Sequence, residues 1–236
     1  VAAGRMFDLS SDTVVFGSLD TQQGVVNVAL NFWDSSSGND FIVTIPNTPG
    51  WEYSPNSLLM ADLTGDGFDD LILNYDQASR TVVLSAVDVN DWSKGVRMGP
   101  GLLYGGKRIT SLAAGDLDGD GQNELVAVLA NGSAQLVVLR ASPTTLALTA
   151  EPSVTLGDDN IWLPQVASGN FDQDPSDKEV VVAFYSREMA IPLPNGSNAQ
   201  VQLYQYAGSG QPMTLVQSGS FSQTQIGAVQ PVSYTH

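Results

Sequence analysis

Apolar runs rich in β-branched residues alternate along this chain with clusters of Gly, Asn, Asp and Ser, and no segment keeps helical periodicity across two turns. Small-and-apolar runs at 58–61, 112–115 and 166–169 each lead into an acidic cluster, and β-branched runs at 71–75, 125–129 and 180–185 follow it. Polar connections at 18–24, 76–80, 130–134 and 186–199 then precede third runs at 25–32, 81–87, 135–140 and 201–206. Weaker fourth runs stand at 41–45, 101–104, 153–156 and 213–217. The pattern predicts a unit of four antiparallel strands, used repeatedly.

The acidic clusters set the pitch of the repeat. They read Asp62-Leu-Thr-Gly-Asp66-Gly-Phe-Asp-Asp70, Asp116-Leu-Asp-Gly-Asp120-Gly-Gln-Asn-Glu124 and Asn170-Phe-Asp-Gln-Asp174-Pro-Ser-Asp-Lys-Glu179. Their first residues lie 54 apart in both intervals, 62 to 116 and 116 to 170. A fixed period of this length with four short strands per unit predicts an all-β fold, a β-propeller of four-stranded antiparallel blades. Blades are expected at about 1–57, 58–110, 111–164 and 165–224, with 225–236 as the start of a fifth. Either the chain is a fragment of a larger ring, the favoured expectation, or its last strand closes a smaller one.

A degenerate copy opens the chain. Val1-Ala-Ala-Gly4 and Val14-Val-Phe16 align with Leu112-Ala-Ala-Gly115 and Leu125-Val-Ala127, yet Arg5, Phe7 and Leu9 stand where Asp116, Asp118 and Asp120 stand. An arginine in place of the first carboxylate makes a cation there unfavourable.

Calcium takes six to eight hard oxygen ligands, which a tight turn can supply from alternate positions. In the first loop Asp62, Thr64, Asp66 and Asp70 fall at positions 1, 3, 5 and 9, with the Phe68 carbonyl at 7. The second offers Asp116, Asp118, Asp120, the Gln122 carbonyl and Glu124. The third offers Asn170, Asp172, Asp174, Ser176 and, after one inserted residue, Glu179, with Pro175 in place of the bending glycine. An EF-hand is excluded, because position 12 is Leu73 or Ala127 and strands follow instead of helices. Asp and Gly also favour turns without any metal, but three copies in one register favour two to three calcium ions in a structural role.

Charge supports that reading. Of 25 Asp and Glu, twelve lie in the three loops, and the formal net charge is −16. So acidic a chain, with nine Lys and Arg, does not suit a nucleic acid or an anionic membrane as partner. No apolar run approaches the length of a membrane span. The sole histidine is His236 and cysteine is absent, so Ser-His and Cys-His dyads are missing, and no enzymatic activity is expected. Because Val1 follows no leader-like segment, a longer or processed precursor is expected.

At the acidic loops the chain resembles the FG-GAP/VCBS class of repeats, the calcium-binding propeller blades of integrin α subunits and many secreted microbial proteins. The defining Phe-Gly signature survives only near Phe16-Gly17. The resemblance implies calcium loops between the first two strands of a blade, with a protein or carbohydrate ligand bound on the opposite face. Trp51 and Trp162, placed before the first strands of blades, are candidates for that contact, or else seal adjacent blades. Met189, Ile191 and Leu193, in the long proline-stiffened connection 186–199, are candidates for a docking surface or a lid. Asn131 and Asn195 match the N-glycosylation pattern, though Asn-Gly is equally a hairpin turn. The expected function is an extracellular or cell-surface, calcium-stabilised binding or adhesion module. A lectin-like propeller and the accessory propeller of a larger secreted enzyme or toxin are the alternatives.

Overall fold

The structure is a computed structural model describing residues 1–7, 12–22, 25–34, 40–45, 58–75, 80–130, 133–156, 161–171, 178–186 and 198–222. It is all-β: four antiparallel sheets account for the described residues, which contain no α-helix and only a 3-10 turn at Trp92–Lys94. No helix among them is long and apolar enough to cross a membrane.

Each sheet is a meander of sequential strands. The first holds β1 (Ala2–Gly4), β2 (Thr13–Gln22), β3 (Val25–Asp34) and β4 (Asp40–Ile45), and the second β5 (Leu58–Ala61), β6 (Asp70–Tyr75), β7 (Arg80–Ala86) and β8 (Val96–Met98). The third is built from β9 (Arg108–Gly115), β10 (Glu124–Ala130) and β11 (Gln135–Ala141), with β12 (Leu148–Ala150) and β13 (Val154–Thr155) both on β11. The fourth comprises β14 (Ile161–Gly169), β15 (Glu179–Ser186), β16 (Asn198–Gln205) and β17 (Thr214–Ser222).

Three expectations about strand limits are corrected. Residues 18–22 extend β2, with Gln22 opposite Val25, instead of forming a connection. Their polarity read as a turn, but cross-strand pairing carries the strand on. The fourth strand of the second sheet begins at Val96; its expected segment contributes only the bridge between Thr81 and Leu102. Trp162 lies within β14 opposite Tyr185, not before a strand. Pro164, which has no N–H to offer a ladder, falls at the register shift between Trp162 and Gln165, where its missing donor is tolerated.

The edges of the second and third sheets break in the same way. β8 gives way to the Leu102 bridge across Gly99-Pro100, and β12 gives way to β13 across Glu151–Ser153, which contains Pro152. Proline is confined to edges and interruptions because it cannot complete a ladder.

The chain divides into two compact units, Val1–Gly106 with Ala141–Thr149, and Lys107–Arg140 with Ala150–His236. In the first, the core gathers Met6, Phe7, Val15, Leu30, Phe32, Leu71, Leu73, Val82 and Leu84. Phe32 stacks on Phe41 at 4.6 Å between centroids, and Phe7 meets Phe41 edge-on at 6.3 Å. β1 runs beside β5, so the first strands of successive sheets are neighbours. Arg5 N–H donates to Asp69 Oδ2 at 2.6 Å and Asp69 N–H to Arg5 O at 2.7 Å.

The second unit repeats that arrangement with β9 beside β14. Here Ser111 Oγ accepts from Val166 N–H at 3.1 Å, and Ser168 Oγ donates to Ala114 O at 2.8 Å. Gly115 permits the approach, since an added Cβ would stand 2.7 Å from Ser168 Oγ. The core behind it includes Leu117, Val126, Val128, Leu136, Val138, Val180, Val182, Phe184 and Tyr204.

Candidate metal-binding loops

All four sheets join their first two strands in matching register. Gly4 lies opposite Thr13, Ala61 opposite Asp70, Gly115 opposite Glu124 and Gly169 opposite Glu179. The acid that closes each loop is therefore the first residue of the second strand. The opening sheet has Thr13 there; a buried Phe7 takes the place of Asp118, and a buried Met6 that of Leu117.

The closing acids share one contact that spacing alone did not reveal. Asp70 Oδ2 accepts the Leu63 N–H at 3.0 Å, Glu124 Oε2 the Leu117 N–H at 2.8 Å, and Glu179 Oε2 the Phe171 N–H at 2.6 Å. Each is buried. The inserted residue in the third loop leaves this clamp intact. Leu63 and Leu117, the clamped residues of the first two loops, are buried, so the clamp ties each of those turns to apolar packing.

The first residue organises the turn from the other end. Asp62 Oδ1 accepts the N–H groups of Gly65 (2.7 Å) and Asp66 (3.2 Å), and its Oδ2 that of Gly67 (2.8 Å). Asp116 repeats this with Gly119 at 2.7 Å and Gly121 at 3.2 Å. Both glycine pairs have positive φ, 73° and 84° in the first loop, 77° and 89° in the second. A residue with a Cβ is strained there; Pro175, aligned with Gly67 and Gly121 in the sequence, lies outside the described residues.

In the second loop, carboxylate oxygens of Asp116, Asp118 and Asp120 lie within 4.8 Å of one another, an acidic triad that can hold a metal ion. Among the described residues no other three carboxylates gather in this way. The first loop has Thr64, buried, at the middle position, which leaves two carboxylates, Asp62 and Asp66, on the turn. An all-oxygen donor set of this kind suits a hard cation, so the triad fits a metal ion of that class. Asp116, Asp118 and Asp120 would hold it in the second loop. It would neutralise repulsion and stiffen the turn.

Glu124 stands outside the triad and pairs with an arginine. Arg140, at the end of β11, reaches Glu124 Oε1 (2.8 Å), Asp118 Oδ2 (2.5 Å), Asp120 Oδ2 (3.8 Å) and Glu151 Oε1 (2.8 Å). Its Nη2 also donates to Tyr206 Oη at 2.9 Å, while Tyr206 donates to Glu151. Burial works against the guanidinium charge, but the bonds to Tyr206, Glu151 and Asp118 outweigh it and keep Arg140 protonated. Burial pushes Tyr206 up to about 12.

Burial also dominates the two closing acids. It pushes Asp70 up to about 6, against hydrogen bonds from Ser85 and Leu63 N–H, and Glu124 up to about 7, against Leu117 N–H and Arg140. A nearby cation would favour the ionised form of both.

Other candidates are placed as follows. Asn170 is exposed beside the exposed Phe171. Asp172, Asp174, Ser176, Trp51, Met189, Ile191, Leu193, Asn131, Asn195 and the expected fifth-blade strand lie outside the described residues. Arg5, which replaces the first carboxylate in the opening loop, lays its guanidinium over the Phe68 ring at 5.0 Å, a cation–π contact at the rim of the first acidic loop. No protein-family model matches the chain, and no curated protein matches it.

Proposed function

We propose that this chain is a calcium-stabilised, propeller-type binding module of the FG-GAP/VCBS kind, in which the Asp-rich loops hold calcium structurally. The observation that carries the reading is the shared loop register: a closing acid bonded to the N–H of loop residue 2 in three sheets, joined in the second by the Asp116–Asp118–Asp120 triad. The neighbouring first strands, β1 beside β5 and β9 beside β14, support a radial arrangement of blades. Millimolar calcium outside cells suits turns of this charge, which favours an extracellular or cell-surface location. On this reading the ligand is a protein or carbohydrate on the face opposite the loops, and the chain does no chemistry of its own.

The test is thermal unfolding of the chain in EDTA, in calcium and in magnesium. Calcium at about 100 times its Kd should stabilise by about 2.7 kcal/mol per site, and equal concentrations of magnesium by much less. Identical unfolding in calcium and EDTA would remove the reading.

A further inference from the structure

The residue facing the closing acid from the third strand changes from sheet to sheet. Asp70 bonds Ser85, Glu179 pairs with Gln205 in the ladder, and Glu124 meets Arg140. Only the second loop, among these, sets a full positive charge at that position. The guanidinium is a quarter exposed while Glu124 and Glu151 are almost wholly buried, so the contact is desolvated on the carboxylate side.

We propose that Arg140 is the resident counter-ion of the second loop. It draws Glu124 and one oxygen of Asp118 away from a metal's reach, orders the turn when no metal is bound, and lowers the loop's calcium affinity below that of an otherwise equal loop facing a neutral residue. Three features argue for this. Arg140 takes one oxygen of Glu124 while the Leu117 N–H holds the other, so both are engaged without a metal. Arg140 is itself fixed by Glu151 and Tyr206, so it is a built feature and not a surface side chain folded over acid. A guanidinium fork also suits simultaneous bonds to several carboxylates.

The proposal rests on the calcium reading above, and the experiment separates the two. Calcium titration by calorimetry is run on the full chain in an Asp62→Asn, Asp174→Asn background, which disables the first and third loops so that the second reports, with Arg140 intact or replaced by Ser, Gln or Lys. Arg140→Ser and Arg140→Gln, which copy the partners of the other loops, should tighten calcium binding about tenfold or more, the scale of removing one positive charge from beside a divalent ion. Arg140→Lys should stay near the parent. In EDTA, Ser and Gln variants should melt below the parent and the Lys variant near it. Unchanged or weaker calcium binding in folded Ser and Gln variants would overturn the proposal while leaving the calcium reading intact. A wild-type chain that takes up no calcium would overturn both. Should the Ser variant not fold, the Gln variant makes the same comparison.

Discussion

Asp70→Asn isolates the electrostatic strain held in the metal-free first loop. Asp70 is buried and faces Ser85, and its carboxyl sits at about 6 instead of 3.8. A raised carboxyl pKa means that the folded state prefers the protonated form. That contribution is complete below pH 3.8 and is lost as the pH rises through about 6. At pH 7.5 the ionised group therefore costs the metal-free fold about 3 kcal/mol, two units at about 1.4 kcal/mol each. Asparagine removes the charge and keeps an oxygen for the Leu63 N–H. Urea unfolding in EDTA should show the variant about 2 to 3 kcal/mol more stable at pH 7.5 and nearly equal to the parent at pH 4. In saturating calcium the order should reverse, because the ion prefers the carboxylate. A variant less stable than the parent in EDTA at pH 7.5 would refute the reasoning and make Asp70 a simple hydrogen-bond anchor.

The same linkage applies to Glu124, held at about 7. In EDTA the parent chain should lose about 4 kcal/mol between pH 5 and 7.5 from Asp70 and Glu124 together, whereas in calcium its stability should rise over that interval; equilibrium unfolding across the range checks the sign. Gly121→Ala should cost about 1 kcal/mol despite the open space around it, since its φ is 89°, and the loss should show in denaturant midpoints without metal. Gly99→Ala should cost more, about 2 to 3 kcal/mol, because an added Cβ would collide with the Leu146 carbonyl, which is backbone and cannot swing aside. Leu117→Ala should cost about 2 to 5 kcal/mol by emptying a buried position beneath the second loop, measured by the same unfolding assay.

Much of this architecture was legible in the chain because its periodicities are local. The runs at 71–75 and 125–129 and the acidic pitch place β6, β10 and their loops in the observed register. Strand ends were less legible. Polar residues 18–22 continue β2 because β3 supplies partners, which side-chain polarity cannot reveal. The site shows the same limit. Asp116, Asp118 and Asp120 fall together through turn spacing alone, whereas Arg140 is 22 residues from Asp118, and Tyr206 a further 66 from Arg140. The hairpin register would have exposed Arg140: with Leu125 opposite Leu139, one more step sets it against Glu124. A basic residue facing the closing acid is thus a signal that can be sought in such repeats once the hairpin is aligned.

Calcium stoichiometry tests the central claim most directly. Calorimetric titration of the chain, compared with Asp116→Asn and Asp118→Asn together, should show calcium uptake by the wild type and the loss of one site in the double variant, with the fold retained by circular dichroism. Equal uptake by both chains, or none by the wild type, would contradict the assignment of these turns as calcium loops.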